Sequence, residues 1–172
     1  LIRNDRKTAI HQDINDEDQT VRFPKITTQF RYKGTNKSEA FANEDFYGDD
    51  IITYENLTVG NTYLIDGILM DPETGKPITD KDGNYVTSNI VLTPDKPDGQ
   101  ANIRFKFDAS KFAGKDIVAF ESLSSGKTVL AEHKDLTDNN QTIHFPKITT
   151  KAAYGDNGFN EGLAKEKITV VD

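Results

Sequence analysis

Five polar side chains fall in phase with apolar residues of predicted β-strands, and alternate residues of a strand share one face. They are Thr28, Asp50, Glu121, His133 and Gln141. A buried amide or carboxylate without partners costs several kcal/mol, so such side chains must pair with one another or take part in chemistry. A hydroxyl beside an imidazole can act as a nucleophile, and two carboxyl groups forced together share one proton. The set is therefore suited to acyl and proton transfer.

The inward direction of each residue follows from its neighbours along the strand. Thr28 is in phase with Ile26, Phe30 and Tyr32; Gln141 with Ile143 and Phe145; Asp50 with Ile52 and Tyr54; His133 with Val129 and Ala131; Glu121 with Ile117, Ala119 and Leu123. The direction of Glu121 stays open, because Val118 and Phe120 make the other face equally apolar. Taken singly, each residue also has a structural interpretation: a β-branched filler, an edge glutamine, a structural histidine or a turn aspartate.

Short strands and turns must position these residues, since the chain has no long helical periodicity. Turn-forming segments rich in Gly and Asp, such as DPETGKP, DKDGN, DKPDG and SSGK, separate the strands. A short helical turn is expected at ASKFAG. The pattern predicts an all-β, immunoglobulin-like sandwich of two sheets. The predicted strands cover 26–32, 50–57, 61–71, 84–94, 101–108, 116–123, 127–133 and 141–148.

An internal repeat organises the chain. Residues 11–28 align without gaps on 133–150 at an offset of 122, with 11 of 18 positions identical. His11 and Gln19 match His133 and Gln141, so the spacing of histidine and glutamine recurs although several residues between them change. We therefore interpret the chain as one complete unit of a tandem array. Its predicted parts are the last strand of an upstream repeat (1–24), the complete domain (25–148) and the first strands of a downstream repeat (149–172).

Composition excludes several classes of function. The 172 residues include 21 Lys and Arg against 28 Asp and Glu, and the net charge of −7 argues against nucleic acid as a partner. No apolar stretch approaches the roughly 20 residues of a membrane-spanning helix, so we expect no membrane insertion. Cysteine is absent, which excludes disulfides and thiolate metal sites. A covalent cross-link in this chain would need other chemistry.

Four segments resemble the VaFE-type repeat of Gram-positive bacterial surface adhesins. They are VAFESL (118–123), AEHKDLTDNNQTIHFPKI (131–148), TYENLTVGNTYLIDGILMDPETGKPI (53–78) and RFKFDASKFAGKDI (104–117). The resemblance covers the span from about Lys25 to Ile148. Members with a threonine on the first strand and a glutamine on the last form an intramolecular ester bond between the two.

The resemblance implies a role for each of the five residues. Thr28 becomes the nucleophile, Gln141 the acyl donor, His133 the base, and Asp50 with Glu121 the acid pair. Thr27 is an alternative nucleophile, and strand parity favours Thr28. Because the bond would join the first and last strands, the expected function is that of an adhesin stalk module on the cell wall that resists mechanical unfolding and proteolysis. The module cross-links itself once and is not expected to be a turnover enzyme.

Three other functions compete with this interpretation. A Lys–Asn isopeptide bond needs an inward lysine, whereas Lys106 and Lys115 face solvent by parity. A ligand-binding domain needs aromatic residues on loops, and only Phe41, Phe46, Tyr47 and Phe112 depart from strand parity. A turnover enzyme needs a substrate cleft, for which the sequence has no signature.

Partners and cofactors can be inferred from the same residues. The expected partners are neighbouring repeats of the same chain, and the sequence identifies no host ligand. The ester chemistry requires no cofactor. Two pairs of turn aspartates, Asp135 with Asp138 and Asp13 with Asp16, have the oxygen ligands that calcium uses, with solvated turns as the alternative.

Overall fold

Strands dominate the secondary structure in the computed structural model, which describes residues 2–3, 6–7, 13–14, 16, 19–151, 153–154 and 170–171. 3₁₀ helices cover Ser110–Phe112 and Asn139–Gln141. Within the described ranges, no helix is long and apolar enough to cross a membrane. The strands are β1 (Ile2–Arg3), β2 (Arg6–Lys7), β3 (Lys25–Tyr32), β4 (Phe46–Glu55), β5 (Tyr63–Asp71), β6 (Lys76–Pro77), β7 (Thr87–Leu92), β8 (Gly99–Phe107), β9 (Lys115–Ser125), β10 (Thr128–His133), β11 (Thr142–Phe145), β12 (Ala153–Tyr154) and β13 (Val170–Val171).

Two antiparallel sheets form the body of the domain. One sheet has the order β3-β4-β8. In the other, β5 pairs with β9, while β10 and β11 both pair with β9 and β6 and β7 both pair with β5. Two short antiparallel pairs, β1 with β2 and β12 with β13, lie outside these sheets. The predicted all-β, immunoglobulin-like sandwich is confirmed.

Alternating side chains from both sheets build the core between them. Along β4, residues 46, 48, 50, 52 and 54 are buried, and the residues between them are partly exposed. Phe46 from this sheet contacts Phe145 of β11 in the other sheet edge to face, with 5.1 Å between ring centroids. Such pairs add to the burial of apolar area in holding the sheets together.

All eight predicted strands are present, with local differences. Gln141 ends the 3₁₀ helix before β11, so it does not belong to the last strand as predicted. A β-bulge in β10 between Val129 and Ala131 breaks the predicted alternation, and Val129 is 53% exposed instead of buried. A bulge adds one residue to a strand and reverses the phase of the residues after it, which sequence alternation does not reveal.

The ends of the chain lie largely outside the described residues. His11, about half of 1–24 and most of 149–172 belong to this part. The described residues of the upstream copy form a turn with the same backbone pattern as the turn before Gln141. The Gln19 amide donates to the carbonyl of Asp16, and the Gln141 amide donates to the carbonyl of Asp138, at 3.2 and 3.0 Å.

Candidate functional site

Thr28 lies in the middle of β3, one of the two edge strands of the three-stranded sheet. Its register partner on β4 is Ile52, and its side chain is buried between the two sheets. The adjacent Thr27 is exposed on the outer face of the same strand. Of the two threonines that the sequence leaves as alternatives, only Thr28 has its hydroxyl in the interior.

Gln141 approaches Thr28 from the opposite sheet, at the end of the 3₁₀ helix that leads into β11. Its Nε2 donates a hydrogen bond to Thr28 Oγ1, a contact between residues 113 positions apart in the chain. Nε2 also lies 3.5 Å from Asp50 Oδ1. Both Gln141 and Thr28 are buried, so the amide and the hydroxyl face each other away from solvent.

Asp50 and Glu121 form a buried pair of carboxyl groups that joins β4 of one sheet to β9 of the other. Burial, together with the negative charge of Asp50, raises the pKa of Glu121 to about 10. Burial raises the pKa of Asp50 to about 6, although hydrogen bonds from Glu121 and Gln141 oppose that shift. Like charges this close cannot both persist in a dry site. At neutral pH the pair holds one proton, on Glu121.

Four buried oxygen atoms support this protonation state. Apart from the Asp50–Glu121 contact and the Thr28 hydroxyl beside Glu121, no described residue donates a hydrogen bond to them, and all four are acceptors when both carboxyl groups are ionised: Asp50 Oδ2, Glu121 Oε1, Glu121 Oε2 and Gln141 Oε1. Buried acceptors without a donor are rare in folded proteins. A proton on Glu121 turns one of these acceptors into a donor for the others.

A glycine lies beside Glu121 where the two sheets come close together. Gly67 of β5 is the register partner of Glu121. A Cβ atom at Gly67 would collide with the side chains of Ile103 and Phe105, which reach across from β8. The close approach of the two sheets at this point brings Glu121 within hydrogen-bonding reach of Asp50. The direction of Glu121, which the sequence leaves open, is therefore inward.

His133 stands at the rim of this site. It ends β10 directly opposite Glu121, and its side chain is 24% exposed. Its Nε2 lies 2.9 Å from Asp138 Oδ2, and no hydrogen bond joins it to Thr28. The structure thus brings four of the five predicted residues together in the interior and places the fifth beside them.

Two residues that the sequence analysis did not assign to the site hold the turn that carries Gln141. Asp138 caps its start, because Oδ1 accepts from the Asn140 amide at 2.7 Å. Arg31 of β3 donates from Nη1 to the Asn140 carbonyl at 2.9 Å. The repeat could have pointed to Asp138, because Asp16 occupies the same position in the upstream copy. It could not have pointed to Arg31, because the equivalent residue in the downstream copy is Ala153.

The surroundings of the site bear on the competing functions. Every lysine within residues 19–151 is exposed, including Lys106 and Lys115, so no described lysine is placed for a buried isopeptide bond. Of the four aromatic residues predicted to lie off strand parity, Phe46 is instead in phase with the buried residues of β4, Phe112 is buried in the core and Phe41 is exposed.

The turn aspartates make local hydrogen bonds. Asp135 Oδ1 accepts from the amide and the hydroxyl of Thr137 at 2.8 and 2.7 Å, and Asp138 caps the next turn. In the part of the chain that the structure describes, no three histidine, aspartate or glutamate side chains gather as metal ligands.

Two solved structures share this architecture. Both are of a bacterial adhesin from Mobiluncus mulieris described as containing intramolecular disulfide, isopeptide and ester bond cross-links, in crystals of space groups P1 and P21. The TM-scores are 0.54 and 0.52, at 15% and 16% sequence identity over 72% and 70% of this chain. The matches span 57% and 56% of the adhesin structures, and at this identity the likeness shows the fold alone.

Comparison with models of protein families identifies the family, which the solved structures do not. No curated protein sequence matches significantly. The family model described as the T-Q ester bond containing domain matches residues 24–145 and, separately, residues 1–23. The longer match includes Thr28, Asp50, Glu121, His133 and Gln141. The chain therefore belongs to the family of T-Q ester bond containing domains.

Proposed function

We propose that this domain is a structural stalk module of a bacterial cell-surface adhesin, and that it forms an ester bond between Thr28 and Gln141 by its own chemistry. The observation that carries the proposal is the buried contact between Gln141 Nε2 and Thr28 Oγ1. A hydroxyl and a primary amide in contact, beside a protonated carboxyl group and an imidazole, are the components of acyl transfer. Family membership supports the same reaction.

The reaction begins at the threonine hydroxyl, which is a weak nucleophile without a base. His133 takes the proton from Thr28 Oγ1 as the oxygen attacks Gln141 Cδ. Negative charge then develops on Gln141 Oε1, the buried oxygen that lacks a donor in the resting site. The proton on Glu121 stabilises that charge by hydrogen bonding, in the manner of an oxyanion hole.

Collapse of the tetrahedral intermediate breaks the bond between Cδ and Nε2. The nitrogen leaves as ammonia after it receives a proton from the His133 imidazolium, which returns His133 to its neutral form. Asp50 Oδ1, at 3.5 Å from Nε2, orients the amide before the reaction. Its negative charge also keeps the shared proton on Glu121. The product is an ester between Thr28 Oγ and Gln141 Cδ.

Each chain reacts once and modifies only its own side chains, so the domain is not a turnover enzyme. No cofactor is needed, and calcium has no role in these steps. The ester stays in a dry core between two sheets, where hydrolysis is slow because water has little access.

The stalk function follows from where the bond lies. It joins β3, the first strand of the domain, to the turn before β11, the last strand. In a tandem array pulled from both ends, force enters near β3 and leaves near β11, and the bond carries it past the other strands. The repeat at an offset of 122 residues supports such an array, with neighbouring repeats as partners.

The proposed setting is extracellular, on the cell wall of a Gram-positive bacterium. The Mobiluncus adhesin of the same fold is described as containing an ester bond cross-link, which supports this setting. The absence of cysteine from the chain suits a module stabilised by a different covalent bond.

Intact-mass measurement tests the proposal. The folded chain is expected to weigh one ammonia less than its sequence mass, and Thr28→Ala is expected to have the full mass. Thr27→Ala is the matched control, since it alters the adjacent exposed hydroxyl and should still lose ammonia. An unmodified mass in the folded parent protein would contradict the proposal.

A further inference from the structure

The segment that leads into β3 has two faces with different surroundings. Val21 and Phe23 on one face are exposed. At the same places in the complete repeat stand Ile143 and Phe145, which are buried in the core. In a tandem array this face belongs to the core of the preceding repeat. The separate match of the family model to residues 1–23 supports that assignment.

The other face of the segment lies against the complete domain. Thr20 and Arg22 line a cleft whose other side is formed by loop residues of the domain: Leu57, Thr58, Val59 and Pro97. The residue at the place of Arg22 in the complete repeat is His144, whose side chain is 40% exposed. This position therefore stays on the surface when a repeat is complete, where it can meet a neighbouring repeat.

Asn56, in the loop after β4, makes polar contacts across this junction. Its Nδ2 donates to the Phe23 carbonyl at 3.2 Å. Its Oδ1 accepts from Arg22 Nη1 at 3.4 Å. The two ends of one amide side chain thus hold two consecutive residues of the incoming segment.

The backbone of Asn56 has a conformation that few residues with a side chain adopt. Its φ is +64°, in the left-handed region, and no other non-glycine residue of the described ranges has a positive φ. The Asp98 carboxylate supports this turn by accepting from the Asn56 amide at 2.8 Å. The next residue, Leu57, is buried, and its amide donates to the Pro97 carbonyl at 2.9 Å. Glycine would fit this φ more easily, so the asparagine side chain serves more than the turn.

The connection between the incoming strand and β3 is a single residue, Pro24. Phe23 corresponds to Phe145, the last residue of β11, and β3 begins at Lys25. Proline fixes its own φ and restricts the residue before it to extended conformations. A stiff connection of one residue, with a side chain that holds the strand before it, leaves little freedom between successive repeats.

We propose that the loop at Asn56 is the docking surface for the preceding repeat, and that the Asn56 side chain holds the last strand of that repeat in one direction. The partner is a second copy of the repeat in the same chain. This proposal rests on the tandem array proposed above and is independent of the ester bond. Junctions held in this way keep successive repeats aligned, which suits a stalk.

Trypsin cleavage after Arg22 in the full chain tests the proposal. The rate of cleavage follows the fraction of molecules in which the segment has left the surface. Asn56→Gly removes both side-chain contacts and keeps the turn, because glycine adopts a φ of +64° without strain. It should speed cleavage after Arg22 by about three- to tenfold, which corresponds to the net contribution of one hydrogen bond. The fragment that begins at Phe23 identifies the cut by mass.

Asn61→Gly is the matched control. Asn61 is an exposed asparagine of the same loop and does not line the cleft, so its replacement should leave the cleavage rate at that of the parent. ¹⁵N relaxation gives a second measurement. The Phe23 amide should be as rigid as the strands in the parent and in Asn61→Gly, and more mobile in Asn56→Gly.

The possible results separate the junction from the ester bond. Equal cleavage rates in the parent and Asn56→Gly, or an equal acceleration in Asn61→Gly, would overturn the docking role of Asn56. Loss of ammonia at the parent rate in both variants would show that the domain is intact and that the ester reaction does not depend on the junction. A parent chain that never loses ammonia would remove the ester function and leave the cleavage result valid.

Discussion

Replacing Thr28 with valine removes the nucleophile and keeps the branched shape of the side chain. The core on either side of it, including Phe30 and Phe105, is untouched, so the variant should fold as the same sandwich. It should also melt at a much lower temperature than the parent. The reason is that the unfolded variant gains the conformational freedom that the ester denies to the unfolded parent.

The expected loss can be worked from the position of the bond. The ester closes a loop between residues 113 positions apart. A cross-link over such a loop stabilises by about 5 kcal/mol on the chain-entropy model for disulfides. For a domain of about 120 residues, with an unfolding entropy near 2.1 cal/mol/K per residue, this corresponds to a fall in Tm of about 15 to 20 °C. The amide left without its hydroxyl partner adds about 1–3 kcal/mol in the same direction.

Scanning calorimetry of the parent, Thr28→Val and Thr27→Val makes the comparison. Thr27 is exposed on the same strand, so its replacement should change stability by no more than about 0.5 kcal/mol. A second comparison isolates the bond. His133→Ala, measured before and after its slow loss of ammonia, gives two states of one sequence that differ only in the cross-link.

A parent that is cross-linked by mass and still melts within about 3 °C of Thr28→Val would contradict this prediction, because the loop entropy requires a far larger difference in Tm. The ester would then have no stabilising role at equilibrium, and a mechanical role would be left to test by pulling the domain from both ends.

Three further predictions concern the site. Gln141→Ala should abolish the bond, whereas His133→Ala should slow its formation by about 10²- to 10⁴-fold, as time-resolved intact mass would show; a parent rate would remove His133 from the mechanism. The pKa of Glu121 is about 10 in the folded protein against an ordinary 4.5, so its contribution to stability is complete below pH 4.5 and is lost as pH rises towards 10. The unfolding free energy of Thr28→Val should therefore fall between about pH 5 and about pH 9 in urea titrations, and adding Glu121→Gln should flatten the trend; an unchanged slope would show that Glu121 is not the group responsible. Arg31→Ala removes a hydrogen bond to the turn that carries Gln141 and should slow cross-linking without preventing it, whereas an unchanged rate would show that the turn is held without Arg31.

Strand alternation predicted much of the site because each of its residues lies on a regular strand or next to one. Thr28, Asp50 and Glu121 are buried in phase with their apolar neighbours, as the period of two requires. Gln141 is buried as well, although a 3₁₀ helix and not the strand brings it inward. The sequence left the direction of Glu121 open because the opposite face of β9 is also apolar, and Val118 on that face is indeed buried.

The features that sequence patterns missed are set by tertiary contacts. The bulge in β10 reverses the phase of the strand and leaves Val129 exposed, and no residue type marks it. Arg31 reaches the turn before Gln141 only because the edge of one sheet lies beside the end of the other. The pairing of Asp138 with His133 was within reach of the sequence, because the repeat keeps both residues at the same spacing from glutamine.

Peptide mapping of the cross-link tests the central claim most directly. Trypsin cleavage should release residues 26–31, which contain both threonines, joined to residues 135–147, which contain Gln141. Fragmentation should place the link between Thr28 Oγ and Gln141 Cδ, with one ammonia lost, and mild alkali should separate the two peptides because an ester hydrolyses where an amide does not. Two unlinked peptides of full mass, or a link between lysine and asparagine that resists alkali, would contradict the account.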